Sequence, residues 1–349
     1  MSVTLIFASI IIVYLLHDFV KKLLVWSKLP PGPWGVPFLG SIPFLLGGPL
    51  HKILDSMRKK YGDIYTLGLF HKQVVMLSNW ELVRDFFGRM EISGRPDAEE
   101  VRKHKRDLPS SSGAKDYIDA YLTEMEQQKS RGEINPNFSE LQLRVNISDL
   151  FIAGSETTSN TIRWCVLFLL CHPEIQGKLQ AEVDDVVGRD RLPSLNDRDR
   201  MPYTEAFLME VQRLARLIPL GVTHAATEDV EIDGYQFPKG TVFMASIWSC
   251  HSDPKYWPDP EKFDPGRFLN SDGTLKTKIP SFLPFALGKR QCLGESLARM
   301  ELFLFVTIFM QKLTFRTTTG RPHPKAESVD SFALNPPKPF QFLIEERME

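Results

Sequence analysis

The chain is poor in cysteine, has no excess of either charge and carries only one long apolar run. Its four cysteines, Cys165, Cys171, Cys250 and Cys292, form no C-x-x-C pair and no zinc spacing. That pattern excludes a disulfide framework or a zinc finger and suits a reducing compartment with free thiols. Lys and Arg number 42 against 43 Asp and Glu, for a net charge of −1 with the signs well mixed. A nucleic-acid binder would need a basic patch, so no nucleic-acid partner is expected. No internal repeat or low-complexity tract breaks the text. At 349 residues the chain holds one large domain or two modest ones with a sizeable core. What it has in plenty is Phe (24) and Pro (25), pointing to an aromatic-rich interior and many stiff connections.

The one apolar run is N-terminal. Residues 3–16 are apolar or small, and His17-Asp18 and then Phe19-Val20-Lys21-Lys22 follow. About 20 apolar residues are needed to cross a bilayer. Inclusion of Phe19 and Val20 with snorkelling Lys21 and Lys22 extends the reach of this run. No small-x-small cleavage site follows and no Lys or Arg precedes it, which favours a membrane anchor over residues 1–28 against a cleaved signal. The Lys pair, with Lys28 beyond, predicts that the rest of the chain faces the cytosol. Asn137 and Asn146 open glycosylation sequons that such a placement leaves unused. Leu29-Pro30-Pro31-Gly32-Pro33-Trp34-Gly35 reads as a rigid strut leading into a domain of residues 29–349.

Helical periodicity marks residues 50–60, 79–88, 115–129, 139–171 and 202–218. Strands are expected over residues 64–77, turning near Phe70-His71-Lys72, at residues 230–232 before an Asp233-Gly234 turn, and at 241–247. Ser139 and Gln142 have the spacing of a capping box, and His172-Pro173 ends the long helix. Inside that helix lies Ala153-Gly154-Ser155-Glu156-Thr157-Thr158. A helical Gly costs about 1 kcal/mol relative to Ala, and a local widening beside a bound ligand would be a reason for one. An acid beside an alcohol can relay protons, which dioxygen cleavage needs; the plainer alternative is a polar helix face. Glu210 and Arg213 share a helix face and can pair.

The densest chemistry is Phe285-Ala286-Leu287-Gly288-Lys289-Arg290-Gln291-Cys292-Leu293-Gly294-Glu295. Leu297, Met300, Leu304 and Ile308 then recur at helical steps and predict a buried helix. Cys292 would sit at or just before its N-terminus, where backbone N–H groups and the dipole favour a thiolate. Gly288 and Gly294 allow a tight turn and close approach to a flat ligand. A thiolate on haem iron fits this design; a buried structural cysteine is the alternative.

The pattern at Phe285, Gly288, Arg290, Cys292 and Gly294 resembles the haem-binding signature of the cytochrome P-450 superfamily, and the Pro-rich strut is similar to that of microsomal family-2 members. The resemblance implies a mainly α fold with a small β region behind the N-terminal anchor helix. It implies haem b with Cys292 as the iron ligand, Arg290 paired with a propionate and Phe285 packed near the thiolate. Glu156 and Thr157 match the oxygen-activating motif, with Thr157 assisting protonation and Glu156 supporting the proton path. Glu210 and Arg213 match a brace completed by Arg267, with Gly266 in place of the usual acid. His224 matches a residue that hydrogen-bonds a propionate, and residues 331–333 a pocket loop. Trp80-x-x-x-Arg84 has the spacing of a propionate-binding motif but lies in an earlier helix, a coincidence. Against the family, a block of about 140 residues, judged from overall length, is missing near residues 96–100, and with it part of the distal half. The implied activity is insertion of one oxygen atom from O2 into a lipophilic small molecule. Electrons would come from NADPH through cytochrome P-450 reductase docked on the Lys289/Arg290 side, with cytochrome b5 as a further donor. The implied location is the endoplasmic reticulum membrane, facing the cytosol. The competing expectation is a catalytically inactive shortened variant, a membrane-bound haem-binding or interaction protein.

Overall fold

Two glycine-and-proline punctuated stretches of β-branched and apolar residues build the largest sheet. In the computed structural model the described residues are 28–33, 35–36, 39–69, 72–92, 117–132, 138–318, 320, 322–329, 331 and 333–347. They divide into two compact units, one within residues 1–96 and 160–349, the other within 97–159.

In the first unit, helix α1 (Leu50–Tyr61) stops at Gly62, whose φ of 94° suits glycine and whose N–H bonds the Arg58 carbonyl at 2.8 Å. Strand β1 (Ile64–Leu69) pairs antiparallel with β2 (Lys72–Leu77), with Ile64 opposite Leu77. Strand β3 (His224–Ala225) and β6 (Val242–Ala245) complete the order β1-β2-β6-β3, β6 lying parallel to β2. The period of two sorts the side chains of β2. Val74 and Met76 pack with Leu54 of α1, whereas Val75 and Leu77 pack with Phe86 and Phe87 of α2 (Trp80–Phe87). Asn79 caps α2 by accepting the Leu82 N–H at 2.8 Å.

The largest core joins the end of α4 (Glu140–Cys171) to α5 (Pro173–Val186), α6 (Pro202–Ala215) and α8 (Glu295–Lys312). Phe168 stacks on Phe263 at 4.2 Å. Gln176 fixes strand β7 (Leu313–Thr317) through both backbone groups of Phe315, at 2.8 and 3.0 Å. β7 pairs with β8 (Phe342–Glu346), and β4 (Val230–Ile232) with β5 (Tyr235–Phe237). The β4–β5 turn has positive φ at both Asp233 and Gly234, the geometry of a two-residue hairpin. Helix α7 (Ile247–Ser252) follows β6. In the second unit, α3 (Tyr117–Ser130) meets the start of α4, where the Tyr121 hydroxyl accepts the Ser139 N–H at 3.2 Å and Asn146 donates to the Tyr117 hydroxyl at 3.0 Å.

Several expectations are corrected. The capping box at α4 is half made: Gln142 N–H reaches Ser139 Oγ at 3.2 Å, but the Gln142 amide donates to Asn146 instead of returning. No widening occurs at Gly154; the helix is α throughout. The helix expected over 202–218 ends at Ala215, because Arg216 turns left-handed with φ 45° and Pro219 closes the helical region to its neighbour. The strand expected over 241–247 ends at Ala245, since Ser246 accepts the Ser249 N–H and opens α7. Helix α8 buries Leu302, Phe303, Val306 and Met310, while Leu297 of the expected stripe is 56 % exposed. That helix is apolar nearly all round, so periodicity alone could not choose its face.

Residues 1–27 of the expected anchor over 1–28, the join at 96–100, Asn137, Trp34 and Phe332 lie outside the described residues. Among the described residues no helix is long and apolar enough to cross a membrane.

Candidate thiolate site

Cys292 lies two residues before Gly294, the N-cap of α8, as the sequence predicts. Its N–H donates to the Phe285 carbonyl at 3.0 Å, closing the loop on itself. Ala286 folds back on Leu283 (N–H to carbonyl, 3.2 Å), and Gln291 bonds Gly288 at 3.1 Å across a 3-10 turn, Gly288–Arg290. Two positive φ values, 58° at Ala286 and 80° at Gly288, set the curvature. Residues 288–294 are all exposed, and Leu293 (90 %) gives Cys292 an apolar shoulder.

The two glycines differ. A Cβ on Gly288 would stand 1.9 Å from the Phe87 carbonyl oxygen, so this glycine serves a close approach to the end of α2. A Cβ on Gly294 would meet nothing within 4 Å. An open cleft of about 440 Å³ is lined by Cys292, Gln291, Leu293, Glu295, Ser296, Arg198 and Arg299. Its charges are ordered: Arg299 pairs with Glu295 at 2.8 Å and lies over the Phe285 ring at 4.9 Å, and Arg198 chelates Glu205 at 2.7 and 2.8 Å.

The other cysteines differ in kind. Burial pushes the Cys165 and Cys250 thiols well up, and raises Cys171, whose thiol lies 3.2 Å from the Pro324 carbonyl. Cys292 is the exposed one. Among the described residues no group of three His, Cys, Asp or Glu side chains could hold a metal ion. A single soft donor with an apolar shoulder and a cationic rim at Lys289 and Arg290 fits a metal that brings its own ring of nitrogens. Haem therefore fits these residues.

Behind the loop stands the expected brace. Glu210 and Arg213 have no exposed side-chain surface and pair at 2.6 Å, and Arg267 joins Glu210 at 3.0 Å. Glu210 also accepts the Asp264 N–H at 2.9 Å, while Arg213 donates to the carbonyls of Pro260 and His251 at 2.7 and 3.0 Å. Gly266 takes no part through a side chain, and the trio is complete without one. Arg84 pairs with Asp85 at 2.8 Å on the surface. His224 is buried, stacks on Phe87 at 3.6 Å, and its Nδ1–H donates to the Ile92 carbonyl at 3.0 Å. Phe87 thus touches both His224 and the Gly288 turn.

Glu156 and Thr157 belong to the unit of residues 97–159. The Thr157 hydroxyl donates to the Ala153 carbonyl at 2.6 Å, a turn back along its own helix. Glu156 is exposed. Sequence reasoning missed one residue of this neighbourhood, His251, a lone histidine beside Cys250 with no periodicity or spacing to mark it.

The family model for cytochrome P-450 matches residues 30–104 and 97–344. Rat (Rattus norvegicus) cytochrome P-450 2U1 is 42 % identical over 247 residues, 71 % of this chain and 46 % of the relative. Dog (Canis lupus familiaris) cytochrome P-450 2D15 is 41 % identical over 249 residues, covering 71 % and 49 %. Human (Homo sapiens) cytochrome P-450 2D6 is 41 % identical over 236 residues, covering 68 % and 47 %. The aligned part of the chain spans about half the length of these curated relatives. With a mainly helical fold, an exposed cysteine at the head of α8 and a buried Glu-Arg-Arg brace behind it, the chain belongs to the cytochrome P-450 family.

Proposed function

We propose that the protein is a haem-thiolate monooxygenase acting on lipophilic small molecules. The observation that carries this is the exposed Cys292, held by its own N–H two residues ahead of the N-cap of α8 beside the apolar Leu293. Haem b, when bound, would supply dioxygen activation, and thiolate donation would favour O–O cleavage. Cys292 would hold the iron, and the α8 N-terminus would stabilise its negative charge. Gly294 would leave open space for the macrocycle, Arg290 would pair with a propionate, and Phe285 would back the thiolate. Gly288 holds the loop close against the end of α2. His224, held through Nδ1 to the Ile92 carbonyl, would contact a propionate.

Thr157 holds its hydroxyl proton on the Ala153 carbonyl, and rotation of the side chain releases it for transfer. Glu156, next to it and exposed, replenishes that proton from solvent. The Lys289/Arg290 face receives electrons from NADPH through cytochrome P-450 reductase, with cytochrome b5 as a further donor. Residues 1–28 anchor the haem domain, residues 29–349, to the endoplasmic reticulum membrane with the domain in the cytosol. The two matched segments meet at residues 97–104, which supports the loss of a block near residues 96–100 and of part of the distal half.

The test is turnover by the full chain loaded with haem and supplied with reductase, NADPH, labelled dioxygen and a panel of lipophilic probes. One labelled oxygen atom in a product, absent in Thr157→Ala, is the expected result. A haem-loaded chain that consumes no NADPH and labels nothing would assign it to the inactive, haem-binding class.

A further inference from the structure

His251 connects the buried brace to the stem of the Cys292 loop. Its ring is fully buried, lying against Phe282 at 5.8 Å and edge-on to Trp257 at 6.3 Å. The Leu283 N–H donates to Nε2 at 2.8 Å. Nε2 is therefore an acceptor without a proton, and the ring proton sits on Nδ1, which donates to the Arg213 carbonyl at 3.2 Å. Arg213 returns a bond from its guanidinium to the His251 carbonyl at 3.0 Å. Leu283 is itself buried, and its carbonyl accepts the Ala286 N–H that begins the curvature toward Phe285, the partner of Cys292. Ring contacts from Trp257 and Phe268 to Phe282 also reach this stem, but the hydrogen-bonded link from the Glu210–Arg213–Arg267 cluster to the Leu283 backbone passes through one imidazole in one tautomer.

We infer that His251 is a positioning residue for the thiolate: its Nε2 lone pair, by accepting the Leu283 N–H, fixes where the loop carrying Cys292 leaves the core. Burial and the nearby Arg213 and Arg216 guanidiniums hold its pKa well below the usual value, which keeps that lone pair available. A buried N–H deprived of its acceptor cannot be satisfied by water, so the stem moves to find one. The spectral consequence rests on the haem-thiolate reading; the anchoring of Leu283 does not.

Two near-isosteric variants separate acceptor from bulk. The side-chain oxygen of His251→Gln reaches the Nε2 position and can accept from Leu283; His251→Asn retains a donor near Nδ1 but nothing at Nε2. In the full chain, two readouts are taken: amide hydrogen exchange at Leu283 and Ala286, and the spectrum of the reduced, carbon-monoxide-bound haem form. The Gln variant is expected to keep Leu283 protection and the long-wavelength thiolate band. The Asn variant is expected to lose protection at Leu283 by about tenfold or more and to shift haem to the short-wavelength band. Equal behaviour of the two variants, whether both intact or both damaged, or the reverse ranking, overturns the inference. If the unsubstituted chain gives no thiolate band, the haem reading fails by itself and the exchange ranking still decides the role of His251.

Discussion

Cys292 depends on glycines for opposite reasons, and substitution separates them. Gly288→Ala puts a methyl on the Phe87 carbonyl at a backbone φ of 80°, and should cost about 2–4 kcal/mol in denaturant unfolding, haem present or not. Gly294→Ala meets no atom within 4 Å at an ordinary φ of −87° and should leave apo stability within about 0.5 kcal/mol. Its effect should appear as weaker haem retention in a titration followed by absorbance. His251 supplies a pH signature. The unfolded chain takes up a proton there near pH 6.5, whereas the folded chain, with its pKa pushed well below that, does not. Stability is therefore fully present above pH 6.5 and falls as pH drops below it, by up to about 1.4 kcal/mol per pH unit from this residue. Glu81, held down to about 2 by Lys255 and Tyr256, adds its own loss only below its ordinary 4.5. Denaturation midpoints between about pH 5 and 7 should show the slope in the unsubstituted chain and a shallower one in His251→Gln.

At the scale of elements, α4 and α6 carry the sharpest expectations. Gly154 faces open space in a regular helix, so Gly154→Ala should raise stability by about 0.5–1 kcal/mol in thermal unfolding. A loss instead would show that the helix needs a widening there. In α6, Glu210 lies among two guanidiniums with no solvent to replace it. Glu210→Gln should cost about 3–5 kcal/mol by chemical denaturation, because Arg213 and Arg267 would keep their charges in a dry site. The sequence made the existence of both helices plain, since period and caps are local properties. Their ends and faces were less legible. Helix α6 stops early because Arg216 is drawn to Glu261 at 2.6 Å and onto the Trp248 ring at 4.1 Å, contacts across 45 and 32 positions that no window sees. Helix α8 turns Leu297 outward because nearly every face is apolar, and only the placement of its neighbours chooses one.

At the scale of the whole molecule, the site is an assembly of segments far apart in sequence: the Cys292 loop, the end of α2, β3, α6 and α7. Fold class and the cysteine loop could be read from sequence because the loop is one contiguous motif. The stacking of His224 on Phe87, the approach of Gly288 to the same residue and the relay through His251 could not, since each joins residues whose chemistry is ordinary until the fold brings them together. The haem-thiolate reading makes the whole assembly a device for presenting one sulfur atom. The most direct test is the difference spectrum of the dithionite-reduced, carbon-monoxide-bound full chain, taken beside Cys292→Ala. A long-wavelength Soret band that disappears in the variant is the predicted result. A band that survives the substitution, or a chain given ample haem that shows no thiolate band at all, would contradict the assignment of Cys292 as the iron ligand.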